Sequence, residues 1–261
     1  MLPFAKMLQS KLSFTAFFLH LMLSISIFFG LFSILLLLWY PSPYFSASGG
    51  WQGLRLVVAV DLVLGPVLTL IVYKPEKSRK ELFFDLSLIV LIQLSALVWG
   101  INAVYQQRPV ASVFWQGRFY TVPAEALSSQ GFDLAGLDLF GEDRPVYVYA
   151  QPPVNESEYE QMLMELNETR VPPHEQPHRY MPLAASFEKI KEYGSIDIVE
   201  IVNSNADMAV ELEKFLQQTN SAVTDYYYQA LVSRYRNIIL IFDQDDKLVG
   251  TLDAPLKYGE F

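Results

Sequence analysis

The stretch FTAFFLHLMLSISIFFGLFSILLLLW, Phe14 to Trp39, decides how the rest of the chain is read. Its 26 residues carry no charge when His20 is neutral. A bilayer core of roughly 30 Å is crossed by about 20 helical residues, so this run spans a membrane with room to tilt. A cleaved secretory signal is the competing reading. Such signals have apolar regions of about 7–15 residues ending on small side chains, whereas this run ends on Trp39-Tyr40-Pro41.

Two further apolar stretches follow, Leu54 to Tyr73 and Leu82 to Val104, each long enough to span and each holding one acid, Asp61 or Asp85. The connector between them, KPEKSRKE (Lys74 to Glu81), carries four basic residues, and Lys6 and Lys11 precede the first span. The loop Tyr40 to Gly53 carries none. Positive charge stays on the cytoplasmic side. The expected order is therefore a cytoplasmic N-terminus (1–13), a three-helix transmembrane region (14–104) and a domain on the far side (105–261), periplasmic in a Gram-negative host. Trp39, Tyr40, Tyr44, Trp51, Trp99 and Tyr105 fall at the outer ends of the spans, where aromatic rings favour the interface. Trp39, Tyr40, Pro41, Pro43 and Tyr44 are thus expected as interface or loop residues in contact with membrane lipid.

Charge divides along the same line. Residues 1–104 hold seven Lys/Arg and four acids, a net of +3, and residues 105–261 hold the other 12 and 24, a net of −12; together they make the chain's −9. Nucleic acid is not an expected partner, because a nucleic-acid binder presents a basic face. Without cysteine, disulfides and thiolate chemistry are excluded.

Asp61 lies about 12 residues, roughly 18 Å, above the cytoplasmic end of the second span, and Gln93 about 11 residues, roughly 16 Å, into the third. In an antiparallel hairpin they share a depth, with Ser24 and Ser26 near the same level. A charged Asp there costs about 2.5–3.5 kcal/mol on insertion scales, so Asp61 is expected protonated or hydrogen-bonded. Pro66 frees the carbonyl of Leu62 and kinks the helix, and Gly65 admits a close neighbour. The bland reading of this group is glue between helices. The sharper one is a contact surface for another protein's membrane helix, formed by Asp61, Gly65, Pro66 and Gln93.

The runs WYPSPYF (Trp39 to Phe45), Gly49-Gly50, VDLVLGPVLTLIVYKP (Val60 to Pro75), Asp85-Leu86, Gln93, Ala96-Leu97, Gly100, Arg108-Pro109-Val110 and VFWQGRFYTV (Val113 to Val122) resemble the TfpX/TfpZ family of type IV pilin accessory proteins. The likeness covers most of residues 39–122 and is mainly architectural beyond, and the C-terminal LKYGEF (Leu256 to Phe261) carries no motif that can be placed. The resemblance implies a multi-pass inner-membrane protein that assists stability or assembly of a type IV pilin, major or minor, alongside other pilus assembly proteins. It implies no enzymatic activity.

The fold class expected is a membrane protein with three N-terminal transmembrane helices and a periplasmic α+β domain with antiparallel hairpins. Val110–Phe114 and Arg118–Val122 alternate around Gln116-Gly117, which suits a tight hairpin. Val146–Tyr149 and Ile196–Val202 read as strands. Glu156–Glu168, capped by Asn155 or Ser157, Ser186–Glu192 and Ala206–Gln218 read as helices. Arg170–Pro182 is a proline-rich loop. Tyr227–Arg234 reads as a strand or a helix turn, and Asn237–Phe242 and Leu248–Leu252 flank an Asp-rich turn.

Some patterns mislead. His174-Glu175-Gln176-Pro177-His178 matches the zinc-peptidase pattern HExxH, but that chemistry needs a helix to aim both imidazoles at one metal, and Pro177 breaks it. The segment reads as a loop. Counting from Asp243, a calcium loop would need glycine at its sixth position and glutamate at its twelfth, where this chain has Leu248 and Ala254. No catalytic residue, metal or cofactor is expected. The competing function is a membrane sensor or receptor subunit with a periplasmic ligand domain, although only about 13 residues precede the first span.

Overall fold

The computed structural model describes residues 2–74 and 77–254. Met1, Pro75, Glu76 and residues 255–261 lie outside the described residues, and with them part of the KPEKSRKE connector and the LKYGEF tail. The chain forms two compact units. One comprises residues 1–39 and 50–105, the other residues 40–49 and 106–261.

The first unit is helical. α1 (Leu2–Ile34) passes into a π-helical turn over Leu35–Trp39. After a short turn, α2 (Tyr44–Ala47), which belongs to the other unit, the backbone is helical from Gly50 to Val72 as α3 (Gly50–Val57), a π segment (Val58–Leu64) and α4 (Gly65–Val72). The π segment has a local cause: Pro66 supplies no N–H and its ring crowds the preceding turn, and a widened turn relieves this. α5 runs unbroken from Arg79 to Gln106. Two stretches, Phe14–Trp39 and Lys80–Gln106, are long and apolar enough to cross a membrane, with mean hydropathy 2.6 and 2.1. The expected span over 54–73 is helical but divided among α, π and α segments. Lys77 Nζ meets Asp85 Oδ2 at 2.5 Å at the start of α5.

The second unit is a seven-stranded mixed sheet in the order β4-β3-β1-β2-β5-β6-β7. β1 (Pro109–Trp115) and β2 (Arg118–Pro123) form the expected hairpin, with Gln116 and Gly117 both at positive φ, 47° and 89°. Such a pair matches the strand twist. α6 (Ala124–Ser128) and a 3-10 stretch lead to β3 (Val146–Ala150), which runs parallel to β1. α7 (Glu156–Thr169), capped by Asn155 Oδ1 on the Glu158 N–H, precedes the short edge strand β4 (Tyr180–Pro182). α8 (Phe187–Glu192), α9 (Ile198–Asn203) and α10 (Ala206–Thr219) then lead to the meander β5 (Tyr227–Val232), β6 (Asn237–Phe242) and β7 (Leu248–Ala254). β5 lies parallel to β2, which joins the antiparallel β5-β6-β7 meander to the mixed group β4-β3-β1-β2.

Ile196–Val202 is not a strand. Its β-branched residues suit one, but Asp197 Oδ1 accepts from the N–H groups of Val199 and Glu200 at 3.1 Å each and starts α9. Capping of this kind is worth about 1 kcal/mol, enough to decide a six-residue segment.

Both sheet faces are covered. On one, Val113, Val122 and Val148 pack with Leu127, Leu137 and Met162, and Ile239, Ile241 and Leu252 pack with Met208 and Leu212. On the other, Phe114, Phe119, Leu231, Leu240 and Phe242 pack with Phe187 and Ile190 of α8 and with Tyr44 and Ala47. The segment 40–49 is therefore part of the sheet unit's core, and it acts as a strap across it.

Candidate functional site

The residues singled out from the sequence fall at two places. The first is a polar cluster inside the helical unit. Asp61, in the π segment, is 7% exposed, and Thr69 and Ser24 are each 4% exposed. The sequence reading missed the hub, His20, by treating it only as a neutral member of an apolar run. Its Nδ1 meets Thr69 Oγ1 at 2.6 Å, its ring hydrogen-bonds the Gln93 side chain, and it lies in electrostatic reach of Asp61. A basic residue on α1 facing an acid and an amide on two later helices was the available signal. Ser26 stands apart: it is exposed and bonds back to Met22 O at 3.0 Å.

Gly65 and Pro66 are buried beside this cluster. A Cβ on Gly65 would fall 2.8 Å from Gln93 Cδ and closer still to its amide nitrogen, so the Gln93 side chain itself fills the notch over Gly65. The free concavity lies toward the other end of the same helices. It is a narrow apolar cleft lined by Gly53, Val57, Ala96, Gly100 and Val104, with Asp61 in its wall. Small side chains on facing helices admit close backbone approach.

The second place is the strap. Trp39 packs edge-to-face with Tyr105 at 4.9 Å. Tyr40 and Tyr44, expected at the lipid interface, are 1% and 2% exposed. Tyr44 Oη lies 2.6 Å from Ser112 Oγ on β1 and 2.7 Å from Tyr147 Oη on β3. A buried tyrosine needs a partner for its hydroxyl, and here two strands supply it; burial pushes the Tyr44 hydroxyl well above its ordinary pKa. Ala47 O accepts from Tyr235 N at 2.9 Å, Ser48 Oγ meets Ser233 Oγ at 2.8 Å, and Gly49, at φ +114°, lies under the Tyr235 ring. Pro41 accepts the Tyr44 N–H at 2.8 Å, and Pro43, with a cis peptide bond from Ser42, leads into α2.

The HEQPH segment forms two separate 3-10 turns, Pro173–Glu175 and Pro177–Arg179. His174 stacks on Tyr120 at 4.2 Å, and burial pushes its pKa down to about 4. His178 lies 3.9 Å from Glu165, away from that stack. No group of three or more metal-ligating side chains occurs among the described residues.

Over 95 residues, 36% of the chain, the sequence is 40% identical to three proteins of Dichelobacter nodosus. They are the fimbrial assembly proteins of serogroup I, of serogroup E1, and of serogroups C1 and C2. The match spans 37% of the length of the serogroup I and E1 proteins and 72% of the serogroup C1 and C2 protein. No protein-family model matches the chain, and no solved structure matches it.

Proposed function

The chain belongs to the family of fimbrial assembly proteins, and from that premise we propose that it is a multi-pass inner-membrane accessory protein, a chaperone that assists stability or assembly of a type IV pilin.

The strap supports the membrane arrangement. Residues 40–49 and 106–254 form one compact unit, so both lie on the same side of any membrane. The chain between them must then cross an even number of times. α5 is long and apolar enough to cross, and the helical stretch 50–72 makes the return crossing. With Phe14–Trp39 this gives three spans. The basic connector and the N-terminus are cytoplasmic, and the sheet unit is periplasmic.

One observation carries the functional reading: a buried polar cluster sits beside a small-residue cleft in a helical unit whose other large apolar side chains are mostly exposed. Polar groups in the bilayer mark functional positions by default. The membrane helix of a pilin lies along Gly53, Val57 and Asp61, with Gly65, Pro66 and Gln93 bracing that wall from behind. The periplasmic unit meets the pilin head.

Deleting the gene should lower pilin abundance and surface fimbriae; normal levels of both sink the proposal. Asp61→Leu with Gln93→Leu should abolish crosslinking to pilin from a probe at Val57. The cysteine-free chain also permits a clean topology test. A membrane-impermeant maleimide should label Ser129→Cys and spare Ser78→Cys in spheroplasts, and the reverse pattern would overturn the arrangement.

A further inference from the structure

The sheet unit is acidic, yet the end of it that joins the spans presents arginines. Residues 105–261 hold 12 Lys/Arg against 24 acids, and an anionic membrane surface repels such a charge. Strand direction fixes which end joins the spans. β1 starts at Pro109, three residues after α5 ends at Gln106. β2 runs back toward that point and β5 lies parallel to β2, so the β5–β6 turn, Ser233 to Arg236, falls at the same end. Arg234 Nη1 donates to Gln107 Oε1 at 2.9 Å, and Gln107 directly follows α5. Arg108 and Arg234 both lie in electrostatic reach of the Tyr40 hydroxyl. The apolar stretch Lys80–Gln106 has 27 residues, about 40 Å of helix. A bilayer with its headgroups is roughly 40–45 Å thick, so Gln106 and the turn beside Gln107 stand at headgroup depth.

Arg234, Tyr235 and Arg236 are all exposed. The strap fixes their backbone: Tyr235 N donates to Ala47 O at 2.9 Å, Ser233 Oγ meets Ser48 Oγ at 2.8 Å, and the Tyr235 ring rests over Gly49. Arg234 Cζ lies 5.5 Å from the centre of the Tyr235 ring, and the Gln107 amide that it bonds is neutral. Its charge is therefore available to an anion. Arg236 uses Nη1 on Asp253 Oδ2 at 2.7 Å and keeps four further N–H donors. A guanidinium fork matches a phosphate group. A tyrosine between two arginines also suits the interface, where aromatic rings and the tips of long basic side chains settle. We infer that the Ser233–Arg236 turn docks on the outer face of the bilayer, with Arg234 and Arg236 binding the phosphate of an anionic phospholipid and Tyr235 beside it. The side of the membrane rests on the three-span arrangement proposed above. The phosphate chemistry rests on the turn itself.

The test places the full chain in nanodiscs of phosphatidylcholine and phosphatidylglycerol in equal parts, with the photoprobe benzoylphenylalanine in place of Tyr235. Mass spectrometry reads which lipid is captured. Phosphatidylglycerol should be captured at least threefold more often. Arg234→Gln with Arg236→Gln should bring the ratio to about one, whereas Arg234→Lys with Arg236→Lys keeps the charge and should keep a ratio of at least two. Lys189→Gln with Lys247→Gln removes the same charge at the opposite end of the sheet and should leave the ratio at threefold or more. No lipid capture, equal capture of both lipids, or an equal fall with the lysine pair or the distant pair would overturn the phosphate contact. Capture of pilin in place of lipid, when the same probe is irradiated in cells, would overturn the membrane as the occupant. Failure of the three-span arrangement shows separately, as maleimide labelling of Ser78→Cys in spheroplasts, and would move the phosphate contact to the other leaflet. A deletion strain with normal fimbriae would sink the functional reading alone and leave the lipid result standing.

Discussion

Replacing Tyr44 with phenylalanine removes one oxygen atom and should weaken the whole sheet unit. The ring keeps its place against the core, so the change isolates the hydroxyl. That group joins the strap to two strands through Ser112 Oγ and Tyr147 Oη, at 2.6 and 2.7 Å. Tyr147 is half-buried, and Ser112 is fully buried and cannot recover water. Each lost hydrogen bond costs about 1 kcal/mol, and an orphaned buried hydroxyl about 1–3. With about 1 kcal/mol for the Tyr147 bond and about 1–3 for the orphaned Ser112 hydroxyl, the expected total is about 2–4 kcal/mol, which corresponds to roughly 4–16 °C in Tm for a unit of this size. Ser112→Ala alone should cost about 1 kcal/mol, because Tyr44 keeps Tyr147. The double variant should cost little more than Tyr44→Phe, a coupling of about 1 kcal/mol or more. The assay is thermal unfolding of the full chain in detergent, followed by protease cleavage between β1 and β7. Additive single effects, or an unchanged midpoint for Tyr44→Phe, would refute the view that the strap is held through this hydroxyl.

Two further predictions concern the other cores. Gly65→Ala drives a methyl group into the end of the Gln93 side chain, which must swing away from His20, and should destabilise the helical unit by about 1 kcal/mol, the worth of that hydrogen bond. In a Gln93→Ala background, which already lacks the His20 hydrogen bond, adding Gly65→Ala should cost nothing further, and an equal loss in both backgrounds in a detergent melting assay would count against the packing described. His174 protonates near pH 4 when folded and near 6.5 when unfolded. Between those values the unfolded chain binds the extra proton. The stability from this group is therefore complete above pH 6.5 and is lost as pH falls to about 4, by up to roughly 3 kcal/mol. His174→Phe keeps a ring on Tyr120 and should flatten that dependence; equal losses for both proteins, from urea midpoints at pH 7 and 4.5, would refute it.

Local features of the fold were readable because they are encoded locally. The Gln116-Gly117 hairpin, the Asn155 cap and the turn in which Asp243 Oδ1 accepts from Asp245 and Lys247 N–H groups each depend on residues within a few positions. Ile196–Val202 failed because a β-branched run outweighed the Asp197 cap in the reading and not in the chain. The two parallel pairings carry no local mark, since β1 with β3 and β2 with β5 are joined by long crossovers. In the candidate site, Asp61 and Gln93 stood out as polar residues in apolar runs. His20 did not, because its partners Thr69, Asp61 and Gln93 lie on other helices. Tyr44 was misplaced for the same reason, its partners being 68 and 103 residues away.

The strap also sets a timetable for biogenesis. Residues 40–49 leave the ribosome long before the strands they complete, and Phe242, which closes that core, follows Gly49 by 193 residues. At about 5–20 residues per second this is a delay of roughly 10–40 s, during which Tyr44 has no slot to fill. In the proposed topology the intervening helices are inserted into the bilayer in the meantime, so maturation of the periplasmic unit waits on membrane insertion. A fragment beginning at residue 106 would reach the end of synthesis with that slot empty, and a synthetic peptide of residues 40–49 is the piece that would fill it.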